Sequence, residues 1–432
     1  MSEARRRPAA LHLAGVDEVE VTVEKLVAGG DGLARFEGAP IFVPRAAPGD
    51  RLRVRLTERR PDYGRGEIAE ILEAGPGRRE PPCPFFERCG GCDLQQLEDD
   101  LQVRWKAAAV VETLARIAGL QPPEDLRVIA GDAWAWRLRT QLHVEPEGGS
   151  GGRPAVGYFE RASHDLVAVD RCPILVPELE RLVPRLPALL ARAASRPGDG
   201  SGDGPGGGAG RPATGEAETP MPRRLDLAAG DGGVVTTAPR VEGLPHGEVA
   251  VAVGPYTYRF DARCFFQSHR GLLPELVDAV LGPDEETGES AFDLYCGVGL
   301  FTLPLAARYR RVVGVEGERL AVRYARRNAK RNGCDGVEIE GRAVESWIGL
   351  LPEGADRVVV DPPRTGLKGR VLEVLQHRAP NRITYVSCHP AALARDLKTL
   401  KQHYDIESLT LIDLFPQTGH MEAVVQLVRS PE

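Results

Sequence analysis

The chain has 432 residues and a net charge of −7, from 55 lysines and arginines against 62 aspartates and glutamates. Hydrophobic residues make up 42% and charged residues 27%, a balance that excludes a mostly disordered or fibrous chain and, at this length, predicts two or three domains. No run of about 18 apolar residues occurs, so no membrane-spanning helix is expected. The stretch after Arg5-Arg6-Arg7 is too short and broken for a secretory signal, and a soluble, cytoplasmic protein is expected. The negative balance argues against coating nucleic acid everywhere but leaves room for a local basic surface.

Residues 1–76 read as a small β-barrel. Val19–Val23 alternates, Ile41-Phe42-Val43 is a short apolar run, and Leu52–Leu56 alternates apolar residues with arginine between glycine and proline turns. Residues 51–66 hold six arginines against Glu58 and Asp62. The alternation puts Arg53 and Arg55 outward, where they would meet phosphates or form a solvated strand face. Residues 77–245 read as a central domain: a cysteine-rich loop, a helix over 98–119 with an apolar stripe from Leu101, Trp105, Ala108, Val111, Leu114 and Ile117, then strands within 134–170. The glycine- and proline-rich stretch 196–220 has almost nothing to bury and is expected to be a disordered loop. Residues 246–432 form a third domain, and from about 288 strands and helices alternate, with strands at Ala291–Tyr295, Arg311–Glu316, Val358–Asp361 and Ile383–Ser387. A helix is expected from Phe301 to Tyr309. The alternation predicts an α/β doubly wound, mostly parallel sheet.

Five constellations carry chemistry. Asp293-Leu294-Tyr295-Cys296-Gly297-Val298-Gly299 sets a glycine-rich turn after the first strand, and Glu316 ends the next one, where an acid suits two ribose hydroxyls. The third glycine of a pyrophosphate turn is absent, so S-adenosylmethionine fits better than a dinucleotide. Asp361-Pro362-Pro363-Arg364 follows an all-valine strand, at the kind of strand end where open α/β sheets bind ligands, unless it is only a rigid proline turn. Cys388 stands just after the next strand, as a nucleophile or a small buried hydrophobe. Glu422 enters the apolar strand Ala423-Val424-Val425, where a carboxylate needs a partner or a task. Cys83, Cys89 and Cys92, with Cys172 as a possible fourth ligand, suit a [4Fe–4S] cluster better than zinc, which more often shows two paired C-x2-C knuckles.

Together these segments resemble the RNA uracil-C5 methyltransferase family, in the branch with an N-terminal TRAM domain and an iron–sulfur cluster. The match runs in order through Val43-Pro44 and Pro48-Gly49-Asp50, Cys83–Gln95, Phe265-Phe266-Gln267, Asp293–Gly299, Asp361–Gly366 with Ser387-Cys388, and Phe415–Glu422. The resemblance implies that Cys83, Cys89, Cys92 and Cys172 ligate the cluster, that Cys388 is the nucleophile and Glu422 the base. It also implies that Gln267, Tyr295, Gly297, Glu316 and Asp361 contact S-adenosylmethionine or the target uracil, and that the barrel grips RNA. The expected substrate is 23S ribosomal RNA, acted on by a monomer.

Three residues depart from the family pattern. His389 follows the nucleophile where asparagine is usual, and Leu300 and Ala343 stand where ribosomal members often have asparagines touching the cofactor. Altered thiolate orientation and weaker cofactor binding are the expected consequences. Alternatives are a transfer RNA uracil-C5 enzyme, an RNA cytosine-C5 enzyme, which would carry a Pro-Cys pair where Pro362-Pro363 stands, and a non-catalytic RNA-binding redox sensor.

Overall fold

The computed structural model describes residues 13, 15–121, 123, 126–149, 152–194, 221–283 and 286–431. The stretch 196–220, expected to be a disordered loop, lies outside the described residues. Among the described residues no helix is long and apolar enough to cross a membrane.

Strands β1 (Glu18–Leu26), β2 (Gly32–Phe36), β3 (Ala39–Val43), β4 (Arg51–Arg59) and β5 (Gly64–Glu73) close into a barrel in the order β1-β2-β3-β5-β4. Alternation drives it: Val19, Val21, Val23, Leu52, Val54 and Leu56 point inward, while the residues between them face out. The barrel's exit is pinned by Asp50, whose fully buried carboxylate accepts from the backbone N–H groups of Ala47 (2.6 Å) and Gly75 (2.8 Å) and from Arg78 (2.7 Å).

Next come helix α1 (Asp99–Ala118) and strand β6 (Arg127–Ile129). Strands β7 (Arg139–Glu145), β8 (Ala155–Phe159), β9 (Leu166–Ala168), β10 (Arg224–Ala229) and β11 (Val235–Ala238) form a five-stranded sheet, with α2 (Pro177–Leu182) and α3 (Leu186–Ala194) between β9 and β10. A hairpin, β12 (Glu248–Val253) and β13 (Tyr256–Asp261), and helix α4 (Leu273–Leu281) lead into the C-terminal unit.

That unit runs β14 (Gly288–Leu294), α5 (Thr302–Leu305), β15 (Tyr309–Glu316), α6 (Arg319–Arg331), β16 (Val337–Gly341), α7 (Val344–Trp347), β17 (Arg357–Val360), α8 (Gly369–Arg378), β18 (Arg382–Ser387), α9 (Pro390–Leu400), β19 (Tyr404–Ile412) and β20 (Glu422–Arg429). The sheet order is β16-β15-β14-β17-β18-β20-β19-β6, parallel from β16 to β18 and antiparallel at β20. Both faces are covered, which is why its strands are continuous apolar runs.

Three local features differ from the sequence reading. Helix α5 is a single turn rather than Phe301–Tyr309, because Tyr309 must already be back in the sheet to pair with Gly288. The segment 77–245 gives two elements to the C-terminal sheet: β6 pairs in parallel with β19 (Thr410↔Arg127), and α1 packs its Ala107, Val110 and Leu114 into that sheet's core. Finally, the buried face of α1 is rotated from the expected stripe. Ala108 is exposed, while Gln102 and Lys106 are buried, because Lys106 donates to Asp413 (2.5 Å).

Candidate active site

Three neighbouring strands bring the reactive side chains to one edge of the sheet. Asp361 follows β17, Cys388 follows β18, and Glu422 opens β20. Because β20 runs antiparallel to β18, with Ser387 opposite Ala423, its beginning lies at the same edge as the ends of the parallel strands. Glu422 is 2% exposed. The Asp361 carboxylate accepts from Gln267 Nε2 (3.3 Å), and the other amide atom of Gln267, Oε1, is buried without a partner.

Burial dominates the electrostatics. It pushes the Asp361 carboxyl up to about 7, against the Gln267 hydrogen bond. Burial, then the charge of Asp361, raises Glu422 well above the ordinary carboxylate range, while Arg364 opposes the rise. The Cys388 thiol is pushed up to about 11 by burial and by Glu422, with Arg364 lowering it. Arg364, three residues after Asp361, was not singled out from sequence, although the motif contained it. Its Nη2 lies 3.2 Å from His420 Nε2. Burial and the Arg364 charge depress His420 to about 4, so its imidazole stays neutral and accepts this hydrogen bond through Nε2.

Of the three departures, only His389 has a side-chain role in the fold that accounts for it. His389 caps α9: its Nδ1 accepts from Ala392 N (3.1 Å), a task suited to the short polar side chain usual at this position. Leu300 is buried under the glycine-rich turn, its carbonyl accepting from the Tyr258 hydroxyl (3.0 Å). The Ala343 backbone caps α7 beside Gly317.

The nucleotide side of the edge is built from β14 and β15. Tyr295 holds a left-handed φ of 67°, strained for a non-glycine residue, and Gly297 follows at 56°. The Glu316 carboxylate ties this turn to its own strand tip, accepting from Gly297 N (3.0 Å) and Glu318 N (2.7 Å). Each oxygen keeps a lone pair for a hydroxyl donor. Beneath them Asp293 is fully buried; one oxygen accepts from Thr302 and the other has no partner. The Glu316 oxygens with lone pairs to spare, the unpartnered Gln267 amide oxygen and the nearby acids fit the ribose hydroxyls and sulfonium charge of S-adenosylmethionine.

Cys83, Cys89, Cys92 and Cys172 line one small pocket of about 20 Å³, with Arg137 and Tyr158. Gly91 N donates to Cys89 Sγ (3.4 Å) and the Tyr158 hydroxyl to Cys172 Sγ (3.8 Å). Among the described residues, no group of three or more His, Cys, Asp or Glu side chains stands close enough to hold a metal ion. Zinc would require its four sulfurs within about 3.8 Å of one another, given Zn–S bonds of about 2.3 Å.

The barrel's arginines are less available than the sequence count implied. Arg53 pairs with Glu20 (3.3 Å) and Glu70, Arg55 with Glu18 (3.7 Å), and Arg65 with Asp31 (3.0 Å). Glu18 and Glu20 on β1 and Glu70 on β5 lie directly opposite Arg55 and Arg53, while Asp31 reaches Arg65 from the turn before β2.

Family models match at two places: TRAM domain over residues 16–69, and tRNA (Uracil-5-)-methyltransferase over 246–351 and 348–430. The chain is 36% identical over 423 residues to the 23S rRNA (uracil(1939)-C(5))-methyltransferase RlmD of Pectobacterium atrosepticum, covering 94% of this chain and 92% of that protein. The chain belongs to the RNA uracil-C5 methyltransferase family. An uncharacterized RNA methyltransferase of Gloeobacter violaceus is 34% identical, over 95% of this chain and 96% of its own length. Among solved structures, the Pyrococcus abyssi tRNA (uracil-54, C5)-methyltransferase in complex with S-adenosyl-L-homocysteine superposes with a TM-score of 0.69 at 25% identity. It covers 95% of this chain and 100% of that one. The family accounts for the barrel as a TRAM domain and for the doubly wound sheet as the methyltransferase unit.

Proposed function

We propose that this family member methylates C5 of a uridine in 23S ribosomal RNA through a covalent bond between Cys388 Sγ and uracil C6. The observation that carries the reading is the meeting of Asp361, Cys388 and Glu422 on three adjacent strand ends, beside the glycine-rich turn. The likeness over nearly full length to a 23S rRNA enzyme supports the choice of RNA.

C5 of uracil is a poor nucleophile. Addition of the Cys388 thiolate to C6 forms a C–S bond and moves the C5=C6 pair toward C5 and O4, making C5 nucleophilic. S-adenosylmethionine, held by Tyr295, Gly297, Glu316, Gln267 and Asp361, supplies the methyl group as an electrophile. Glu422 then takes the C5 proton, the C5=C6 bond re-forms, and the C6–S bond breaks to return the thiolate. Burial that raises Glu422 makes it a stronger base than an ordinary carboxylate. The same burial favours the Cys388 thiol in the free enzyme, so Arg364 is the cation that favours its thiolate. The target base must leave its stack to reach this edge.

Cys83, Cys89, Cys92 and Cys172 would hold a [4Fe–4S] cluster, which would join the cysteine-rich loop to the central sheet and bring redox-active iron there. The shared, partly buried pocket with N–H and O–H donors to sulfur favours that group. Anaerobically purified protein should carry about four irons per chain, and Cys172→Ser should lose them; stoichiometric zinc without iron would sink this assignment.

The substrate is tested by incubating the protein and S-adenosylmethionine with unmodified 23S rRNA and with unmodified transfer RNA, then mapping 5-methyluridine. The reading expects the modification in 23S rRNA only. Methylation confined to transfer RNA, or 5-methylcytidine as product, would overturn it.

A further inference from the structure

Glu422 opens a strand, but the loop that delivers it, from Asp413 to Met421, has no regular secondary structure. What holds that loop comes from elsewhere in the chain. Gln417 is fully buried at a left-handed φ of 68°, and all its polar groups are engaged by the segment just after the cysteine-rich loop or close to it. Its carbonyl accepts from Asp93 N (2.8 Å) and Leu94 N (3.0 Å), and its N–H donates to Gln102 Oε1 (3.0 Å). Its side-chain oxygen accepts from Gln102 Nε2 (2.9 Å), and its Nε2 donates to Asp99 (2.9 Å) and, at 3.4 Å, to the Ala133 carbonyl.

Two residues on, Gly419 N donates to the Asp93 carboxylate (3.0 Å). The other Asp93 oxygen accepts from Arg161 (2.8 Å), which also reaches Asp31 at the barrel turn (3.2 Å). The backbones touch there: a Cβ on Gly419 would lie 2.2 Å from the Gly29 carbonyl carbon. Three parts of the chain that are remote in sequence meet at this point, and Asp93 is the neighbour of Cys92.

We propose that Asp93 and Gln417 are positioning residues for Glu422, fixing the carboxyl by strapping its loop to the segment after the cysteine-rich loop and to the barrel. The proposal rests on Glu422 being the base that takes the C5 proton. Misplacement by about 1 Å can cost roughly 100-fold in rate, and a displaced base would fail at elimination, after methyl transfer.

The test uses the full-length protein with Asp93→Ala, a site that is only partly buried and bears no chemistry. Gln417→Asn is the second variant; it tolerates the left-handed backbone but falls short of Asp99 and Gln102. Glu422→Gln runs beside both. Turnover should fall about 10- to 100-fold in each positioning variant. KM for RNA and affinity for S-adenosylmethionine should stay within about twofold, and a methylated protein–RNA adduct should accumulate in denaturing gels. A purely structural role would lower the melting temperature without trapping that adduct. If Glu422→Gln traps the adduct while the folded positioning variants turn over normally without it, the positioning proposal falls and the base assignment stands. If Glu422→Gln itself turns over normally, the base assignment falls and takes the proposal with it. If Asp93→Ala does not fold, Gln417→Asn decides, and failure of both to fold would assign the pair to the fold alone and overturn the proposal.

Discussion

Asp361 and Glu422 flank the strand that carries Cys388, and the charge of Asp361 adds to burial in raising the Glu422 carboxyl. Two acids beside one buried thiol oppose one another's ionisation, and Arg364 relieves both Glu422 and Cys388. The arrangement suits a reaction whose last step needs a strong carboxylate base.

The acid limb of the pH–rate profile follows from this. As the proposed base, Glu422 must be ionised to take the C5 proton, so kcat should fall as pH drops through its raised pKa. Asp361→Asn removes the neighbouring charge, lowers that pKa and should move the acid limb to lower pH, with a maximum rate about 10- to 100-fold below wild type. A reduced rate with an unmoved acid limb would detach Asp361 from the base.

Asp293 gives a stability test of opposite flavour. Burial pushes its carboxyl up to about 7, so the folded state binds more protons than the unfolded state between about pH 4 and pH 7. Stability must therefore decline as pH rises through that window and level off above it. The displacement corresponds to roughly 4 kcal/mol at most. Asp293→Asn should flatten the decline, as read from urea midpoints at pH 5 and pH 8 without cofactor; an unchanged slope would contradict the assignment.

The barrel arginines should matter less to RNA affinity than their number implies. Arg53→Ala with Arg55→Ala should change the slope of log K against log salt by less than about one, because Glu18, Glu20 and Glu70 already neutralise them. A loss of nearly two in that slope would mean that these pairs open onto phosphates.

What could be read in advance followed local rules. The barrel strands, α1 and the parallel strands declare themselves by periodicity, and Asp361, Cys388 and Glu422 were legible because each abuts an apolar strand. What stayed hidden depends on contacts between segments far apart in sequence. Gln102 and Lys106 look like the solvent face of α1, yet they are buried because Gln417 and Asp413 wait there with matching polar groups. Arg53 looks free until β1 and β5 are laid beside it. β6 is three residues long and gains its place only by pairing with β19.

The central claim is a division of labour: Cys388 begins the reaction and Glu422 ends it. The most direct measurement is a denaturing gel of the wild type, Cys388→Ala, Glu422→Gln and the double variant after incubation with 23S rRNA and S-adenosylmethionine labelled in its methyl group. Glu422→Gln should give a labelled protein–RNA band that persists, because C6 attack and methyl transfer proceed while the C5 proton stays. Cys388→Ala and the double variant should give none while still binding RNA. A folded Glu422→Gln protein that turns over at the wild-type rate, or a labelled adduct from Cys388→Ala, would contradict the account.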